Sequence, residues 1–519
     1  MSAALGHSAG AYESRFELTV VMLCAMAGTL MQALDMTIVN VSLPYMQGSL
    51  QASRDQITWI LTSYVVASAI MTAPVGWIAA RFGRKNFVLV SLAGFTVASA
   101  LCGMAQNLDQ IVFFRLLQGL FGAALSPLSQ SIMLDLYPIE KRGRIMGIWG
   151  MGVMVGPILG PTLGGYLTEF YNWRWVFYVN VPVGIAAVAG IWIFFRDSAH
   201  DTKLRFDWSG FAVLVLGLGA LQLMLDRGQG KDWFSSSEII AEAVLGLLGL
   251  YLFTVHMLTT DKPFVPKVIF KDRNFASALL LMFLIGVILL ASSALLPPYL
   301  QNLGGHTVID AGLMMAPRGI GTMLAMMLVG RLSSRMDPRQ LLALGTLMIL
   351  WSMWDMAHWT PSIDMWTLAS TTFVQGMGLG FVFIPATLVA FATLPAHLRT
   401  DASALMNLTR NIGSAIGVSV TTTVLATSAQ IAHADMATHA TVFNRALEQN
   451  AAGILLNPKF PFGATNLNAV IERNAYVIAY ANDFLFMFFV CIPVLFVIML
   501  MRAPENMAPA TAVPLDVIE

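Results

Sequence analysis

The sequence predicts an all-α integral membrane protein, and three observations carry that prediction. The chain is too apolar for water: 57% of its 519 residues are hydrophobic and 11% charged, with mean hydropathy +0.70. A soluble domain carries about 25% charged and about 45–50% apolar residues. The apolar residues fall in runs long enough to cross a bilayer, whose core of about 30 Å needs roughly 20 helical residues at 1.5 Å each. The lysines and arginines collect in alternate gaps between those runs.

Taken in order, the runs cover 17–41, 57–80, 86–105, 110–134, 143–168 and 174–195, then 207–225 and 238–258. The remainder are 274–300, 308–330, 340–357, 364–391, 402–430 and 477–501, which makes fourteen expected transmembrane helices. With the N-terminus inside, 19 of the 29 lysines and arginines fall in inner segments, among them Arg81, Arg84 and Lys85, then Lys141, Arg142 and Arg144. Only 7 fall in outer ones: Arg54, Arg174, Arg227, Lys231, Arg445, Lys459 and Arg473. Both termini are therefore expected in the cytoplasm, with the longest loop, 431–476, facing outward. Residues 1–16 have neither the charged start nor the small-residue cleavage site of a signal peptide, so none is expected. With 29 basic and 29 acidic residues the net charge is zero, and nucleic acid is not an expected partner. Cys24, Cys102 and Cys491 lie in apolar runs, without the spacing of a metal site or a disulfide framework. There is no nucleotide-binding fingerprint, so no enzyme activity is expected.

The two halves repeat one another. Gln118-Gly119, Pro138, Arg142, Gly156 and Gly160 recur 257 residues later as Gln375-Gly376, Pro395, Arg399, Gly413 and Gly417. A looser echo at offset 254 relates Gly76 and Arg81 to Gly330 and Arg335. Six-helix halves related by parallel duplication are a transporter architecture with the substrate site between the halves, near the midplane. The helices at 207–258 then form an insertion.

Within the first run stands Asp35, and Asn40 lies five residues on. A carboxylate in hydrocarbon costs roughly 2.5–3.5 kcal/mol on insertion scales, which suits either a proton-exchanging group or an acid permanently paired with a base. The fourth run places Arg115, Gln118, Gly119 and Gly122 on one helix face. Asp35 and Arg115 lie about six and five residues below the outer ends of their runs, hence both roughly 8–9 Å deep, where they could pair. The repeat copy has Thr372 in place of Arg115, so folding alone does not require the charge. In the fifth run Gly152, Gly156, Gly160 and Gly164 recur every four residues, with Pro157 and Pro161 between them. This array allows close helix approach and bending, as packing or a rocking interface would need. Arg318 and Arg410 fall near the midplane of their runs, where an arginine needs a carboxylate, carbonyls, water or a substrate. With Asn40 and Asn407 they are the substrate-cavity candidates, and their charge suits weakly acidic hydrophobic compounds. The 32 methionines would tolerate varied ligands.

These motifs resemble the major facilitator superfamily, in particular its fourteen-helix drug:proton antiporters. The resemblance covers nearly the whole chain. Leu34-Asp35-Met36-Thr37-Ile38-Val39-Asn40 is similar to that group's first-helix motif, and Arg115-Leu116-Leu117-Gln118-Gly119 to its fourth-helix motif. Gly156-Pro157 through Gly164-Gly165 resembles its antiporter motif, and Trp173 through Pro182 another typical segment. Leu225-Asp226-Arg227-Gly228 followed by Asp232-Trp233-Phe234-Ser235 resembles the loop between the extra helices of EmrB-type exporters. The inner loop Gly76, Arg81, Gly83 and Arg84 matches the gate motif but carries Ala80 where an acidic residue is usual. A charge lock built on that carboxylate is therefore in doubt.

The resemblance implies two six-helix bundles, 17–196 and 261–502, with an inserted helix pair at 197–260 and short cytoplasmic tails at 1–16 and 503–519. It implies alternating access, export of hydrophobic compounds driven by inward proton flow through Asp35 and Arg115, and no cofactor. For the EmrB-type subset it implies a periplasmic adaptor (a membrane fusion protein) and an outer-membrane channel, hence a Gram-negative inner membrane. Asp226, Arg227, Trp233 and Phe460, in the outer segments 226–237 and 431–476, are the candidate adaptor contacts. The alternatives are a proton-linked or facilitated metabolite transporter without an adaptor, and a membrane sensor that moves nothing.

Overall fold

The structure, a computed structural model, describes residues 15–196, 204–260, 263, 265–333, 335–440, 456–457 and 461–501. Among them there is no strand. The first half contains α1 (Arg15–Ser49), α2 (Trp59–Thr72), α3 (Val75–Phe82), α4 (Arg84–Met104), α5 (Leu108–Gly122), α6 (Leu125–Leu136), α7 (Ile139–Phe170) and α8 (Asn180–Phe194). The inserted pair is α9 (Trp208–Arg227) and α10 (Ser237–Thr259). The second half contains α11 (Arg273–Pro298), α12 (Ala316–Leu332), α13 (Pro338–Met356), α14 (Met365–Ala392), α15 (Arg399–His439) and α16 (Pro461–Leu500).

Eleven helical segments are long and apolar enough to cross a membrane, or twelve when α2 and α3, bent by 58° at Ala73-Pro74, count as one span. Fourteen spans were expected. The two shortfalls are α7 and α13, at 32 and 19 residues long enough to cross. Glycine and proline dilute α7, and Arg339, Gln340 and Asp355 dilute α13.

Several helices outrun their apolar cores. The stretch 431–476, expected as a loop, is helical at both ends, because α15 runs to His439 and α16 starts at Pro461. Hydropathy marks only the part of a helix that lies in lipid, and a helix continues in water while its backbone bonds remain satisfied. At about 1.5 Å per residue each of these helices is about 60 Å long, twice the bilayer core. His433 Nε2 lies 3.0 Å from Asn468 Oδ1, joining the projecting ends.

The internal repeat is visible in the packing. Within the first half α7 lies on α1, and within the second α15 lies on α11. A Cβ at Gly156 would fall 2.6 Å from Leu34 N on α1, and one at its counterpart Gly413 3.1 Å from Phe283 Cα on α11. Equivalent glycines thus serve equivalent helix pairs. The halves meet along two seams: α7 against α12 and α14, and α15 against α2, α3 and α6. Helix α9 lies over the second seam, touching α2 and α15, and α10 packs on α9. At the other end of this hairpin Asp207 caps α9 through Gly210 N–H at 2.9 Å and holds His256 Nε2 at 2.8 Å. Burial raises the Asp207 carboxyl, but these bonds outweigh it and keep it below the usual range.

Candidate functional site

Asp35 and Arg115 meet. Arg115 Nη1 donates to Asp35 Oδ2 at 2.5 Å, and Asp35, Arg115 and Gln118 are all 0% exposed. Gln118 Nε2 donates to Asp35 Oδ1 at 2.9 Å, and Asn180 Nδ2 to the same oxygen at 3.4 Å. Arg115 is held in turn by Ile60 O at 3.1 Å and by Gln118 Oε1 at 2.8 Å. Its guanidinium carbon lies 4.2 Å from the Tyr64 ring centre and 5.8 Å from that of Phe177. A buried ion pair survives only when its remaining donors and acceptors are satisfied, and α1, α2, α5 and α8 converge to do that.

The Trp173–Pro182 segment builds one wall of this site. Phe177 faces Arg115, and its carbonyl accepts from Ser99 Oγ at 2.9 Å. Ser99 Oγ accepts from Asn180 Nδ2 at 3.2 Å. Asn180 and Tyr64 were not singled out from the sequence, because a neutral polar side chain in a span has no charge to betray it. A polar residue inside a matched motif was the available signal.

Helix α1 runs on past its apolar core to Ser49, so fourteen helical residues follow Asp35. Asp483 stands 22 residues after the start of α16. It is fully buried, and among the described residues neither carboxylate oxygen has a hydrogen-bond partner.

The glycine array lies between α1 and α7. A Cβ at Gly152 would meet Met26 Cε at 2.8 Å, one at Gly160 Thr37 Cβ at 2.8 Å, and one at Gly164 Ile38 O at 2.8 Å. Thr37 Oγ1 donates to Gly156 O at 3.1 Å. Pro157 lies within α7. Gly119 packs on α2, where a Cβ would stand 3.0 Å from Ala67 Cβ.

At the inner end, defined by the charge bias of the sequence, Gly83 adopts φ +85°, a turn between α3 and α4 that favours glycine. Arg84 pairs with Asp135 at the end of α6, and Asp135 Oδ1 also accepts from Arg399 Nη1 at 2.5 Å. Arg399 opens α15, so one carboxylate joins the two halves. Gln130 Oε1 accepts from Ser403 Oγ at 2.5 Å and Ser126 Oγ donates to Asn407 Oδ1 at 3.2 Å along the same seam. A Cβ at Gly76 would lie 2.9 Å from Asp401 Cα of α15. Ala80 is exposed, and Arg81 takes no part in these bonds. Across the inner seam Asp135 bridges Arg84 and Arg399.

The four cavity candidates do not form one cluster. Arg318 donates to Ser292 Oγ at 2.9 Å, Ser293 Oγ at 3.1 Å and Leu289 O at 3.3 Å, all on α11. Arg410 Nη2 donates to Asn407 Oδ1 at 3.0 Å, and its guanidinium stands 5.7 Å from the Phe383 ring. Asn40 is exposed and donates to Met36 O at 3.2 Å.

Three of the adaptor candidates make contacts inside the chain. Asp226 accepts from Thr62 Oγ1 of α2, Arg227 pairs with Glu238 and, at 2.8 Å, with Glu242, and Trp233 Nε1 lies 3.1 Å from Thr423 Oγ1 of α15. Phe460 lies outside the described residues. Phe234, at the tip, is 64% exposed.

Comparison with known proteins agrees with this geometry. Residues 25–418 match the model of the Major Facilitator Superfamily. The multidrug export protein EmrB of Escherichia coli strain K12 is 37% identical over 430 residues, 82% of this chain and 84% of that one. The fatty acid resistance protein FarB of Neisseria gonorrhoeae is 34% identical over 473 residues, 89% and 92% of the two chains. Among solved structures the human organic anion transporter MFSD10 (TETRAN) shares the fold, with TM-score 0.56 and 15% identity over 91% of this chain and 99% of that one. A duplicated helical bundle, a buried Asp35–Arg115 pair and these relatives agree: the chain belongs to the major facilitator superfamily of multi-pass membrane transporters, in its group of EmrB-type multidrug export proteins.

Proposed function

We propose that this protein is a proton-coupled antiporter that exports hydrophobic drugs or other toxic compounds across the inner membrane by alternating access. The carrying observation is Asp35, a fully buried carboxylate receiving Arg115, Gln118 and Asn180. Protonation would turn one of its oxygens from acceptor to donor and loosen that grip. Asp35 is turned to α5 and α8, while its chain neighbours Leu34 and Thr37 pack α1 against α7, and α7 also forms a seam with α12. A change at Asp35 therefore reaches a surface that must slide when the halves rock. Each proton moving inward through 100 mV supplies about 2.3 kcal/mol, so in this reading the proton gradient is the drive and no cofactor takes part.

In the same reading the protein is the inner-membrane part of a tripartite system with a periplasmic adaptor and an outer-membrane channel. The projecting ends of α15 and α16 and the exposed Phe234 offer surfaces for such a partner. Asp35→Asn in sealed vesicles tests the coupling. It is expected to insert normally, to lose substrate-induced proton movement and to lose uphill export. Parent-level export in response to a pH gradient would remove Asp35 from the coupling role.

A further inference from the structure

Apart from the seams between the halves, a cavity of about 420 Å³ lies between α2, α5 and the inserted α9. That volume suits a drug-sized molecule. It runs from Trp59 to Ile70 along α2, a length of about 16 Å at 1.5 Å per residue. Its inner part is apolar, walled by Val66, Leu116 and Leu120, and its polar lining (Thr62, Ser63, Asp226, Arg227) gathers at the Trp59 end. Two of those polar groups carry charge, and they are not equivalent. Arg227 is turned to Glu238 and Glu242. Among the described residues the Asp226 carboxylate has only the Thr62 hydroxyl as a hydrogen-bonding partner. The Trp59 ring, 45% exposed, lines the same end. A carboxylate and an indole lining one end of an apolar trough are the chemistry that recognises an alkylated ammonium.

We propose that this lateral cavity binds an amphiphile with a single ammonium head and an alkyl body, the head at Asp226 and Trp59 and the body along α2 and α5. The site exists only because α9 is inserted between the halves, which gives the extra hairpin a binding role. A free alkylammonium compound and an ammonium-headed lipid share this chemistry. The proposal does not depend on proton coupling, since binding can be read without transport.

The test is photolabelling of the purified full chain in nanodiscs of a neutral diglycosyl diacylglycerol, a lipid without an ammonium group. The probes are a dodecyltrimethylammonium and a dodecyl sulfate carrying the same diazirine on the chain. The cationic probe is expected to label peptides from α2, α5 or α9 lining the cavity, with labelling at least tenfold weaker in Asp226→Asn and several-fold weaker in Trp59→Ala. Asp226→Glu is expected to retain it, which separates lost charge from lost fold. If phosphatidylethanolamine in the nanodisc competes with the probe, the lipid amine is the resident occupant and the chemistry stands. If it does not, and labelling still depends on Asp226, the free compound is the ligand. Equal labelling of the cavity by both probes, or labelling unchanged in Asp226→Asn, would overturn the assignment.

Discussion

Asp35 and Asp483 are both fully buried aspartates, and their surroundings could hardly differ more. Among the described residues three side chains donate to Asp35, whereas none donates to Asp483. Removing Asp35 strands the Arg115 guanidinium, the costly half of breaking a buried pair, about 3–5 kcal/mol. Replacing Asp483 strands nothing. Asp483→Asn is therefore expected to stabilise the protein by about 1–2 kcal/mol, seen as a higher unfolding temperature in detergent. A lower temperature would mean that this carboxylate has a partner in the working protein. The contrast also shows what the sequence could disclose about the site. A charged residue in an apolar run announces itself, so Asp35 and Arg115 were legible. Asn180, Tyr64 and the Ile60 carbonyl were not, because their contribution is positional and emerges only when α8 and α2 close around the pair.

Helix contacts obey the same local logic. In α7 a Cβ at Gly156 would stand 2.6 Å from both Ala33 C and Leu34 N, backbone atoms that cannot rotate away. Gly48, near the end of α1, has nothing within 4 Å of its Cβ position. The two glycines should respond in opposite directions to the same substitution. Gly156→Ala forces α1 and α7 apart and is expected to cost about 1–3 kcal/mol, whereas Gly48→Ala is expected to gain up to about 1 kcal/mol from helix propensity. Thermal unfolding of the two variants side by side checks this, and equal effects would mean that α1 and α7 are not closely packed at Gly156. Four-residue glycine spacing made the tight face of α7 readable in advance. Helix ends were less readable: the extensions of α1, α15 and α16 are polar and outside the hydropathy signal, and the bend between α2 and α3 is marked only by Pro74.

For the whole molecule, the repeat explains both the symmetry of the fold and where it fails. Gly119 rests on Tyr64 and Ala67, and Gly376 rests on Arg318 and Thr322 in the other half. Arg318 thus occupies the place of Tyr64, while Thr372 occupies that of Arg115 and donates to its own helix at Leu368 O, 2.8 Å. The first half holds a matched ion pair, and the second holds two arginines bound to neutral groups. Those two arginines differ in a way the sequence could not reveal, because it shows depth and not partners. Arg318 is spent on α11, making three bonds to Leu289, Ser292 and Ser293. Arg410 has one, to Asn407, which itself bonds Ser126 across the inner seam. Arg410 is therefore the better placed to meet a substrate anion between the halves, and Arg318 the better suited to tie α12 to α11. In vesicle transport with one anionic and one cationic hydrophobic compound, Arg410→Ala should lower export of the anion about tenfold more than that of the cation, a difference of about 1.4 kcal/mol. Arg318→Ala should lower both alike, together with the unfolding temperature, because the loss is structural. Equal losses in Arg410→Ala would assign both arginines to the scaffold, and a selective loss in Arg318→Ala would show that its bonds to α11 open during the cycle.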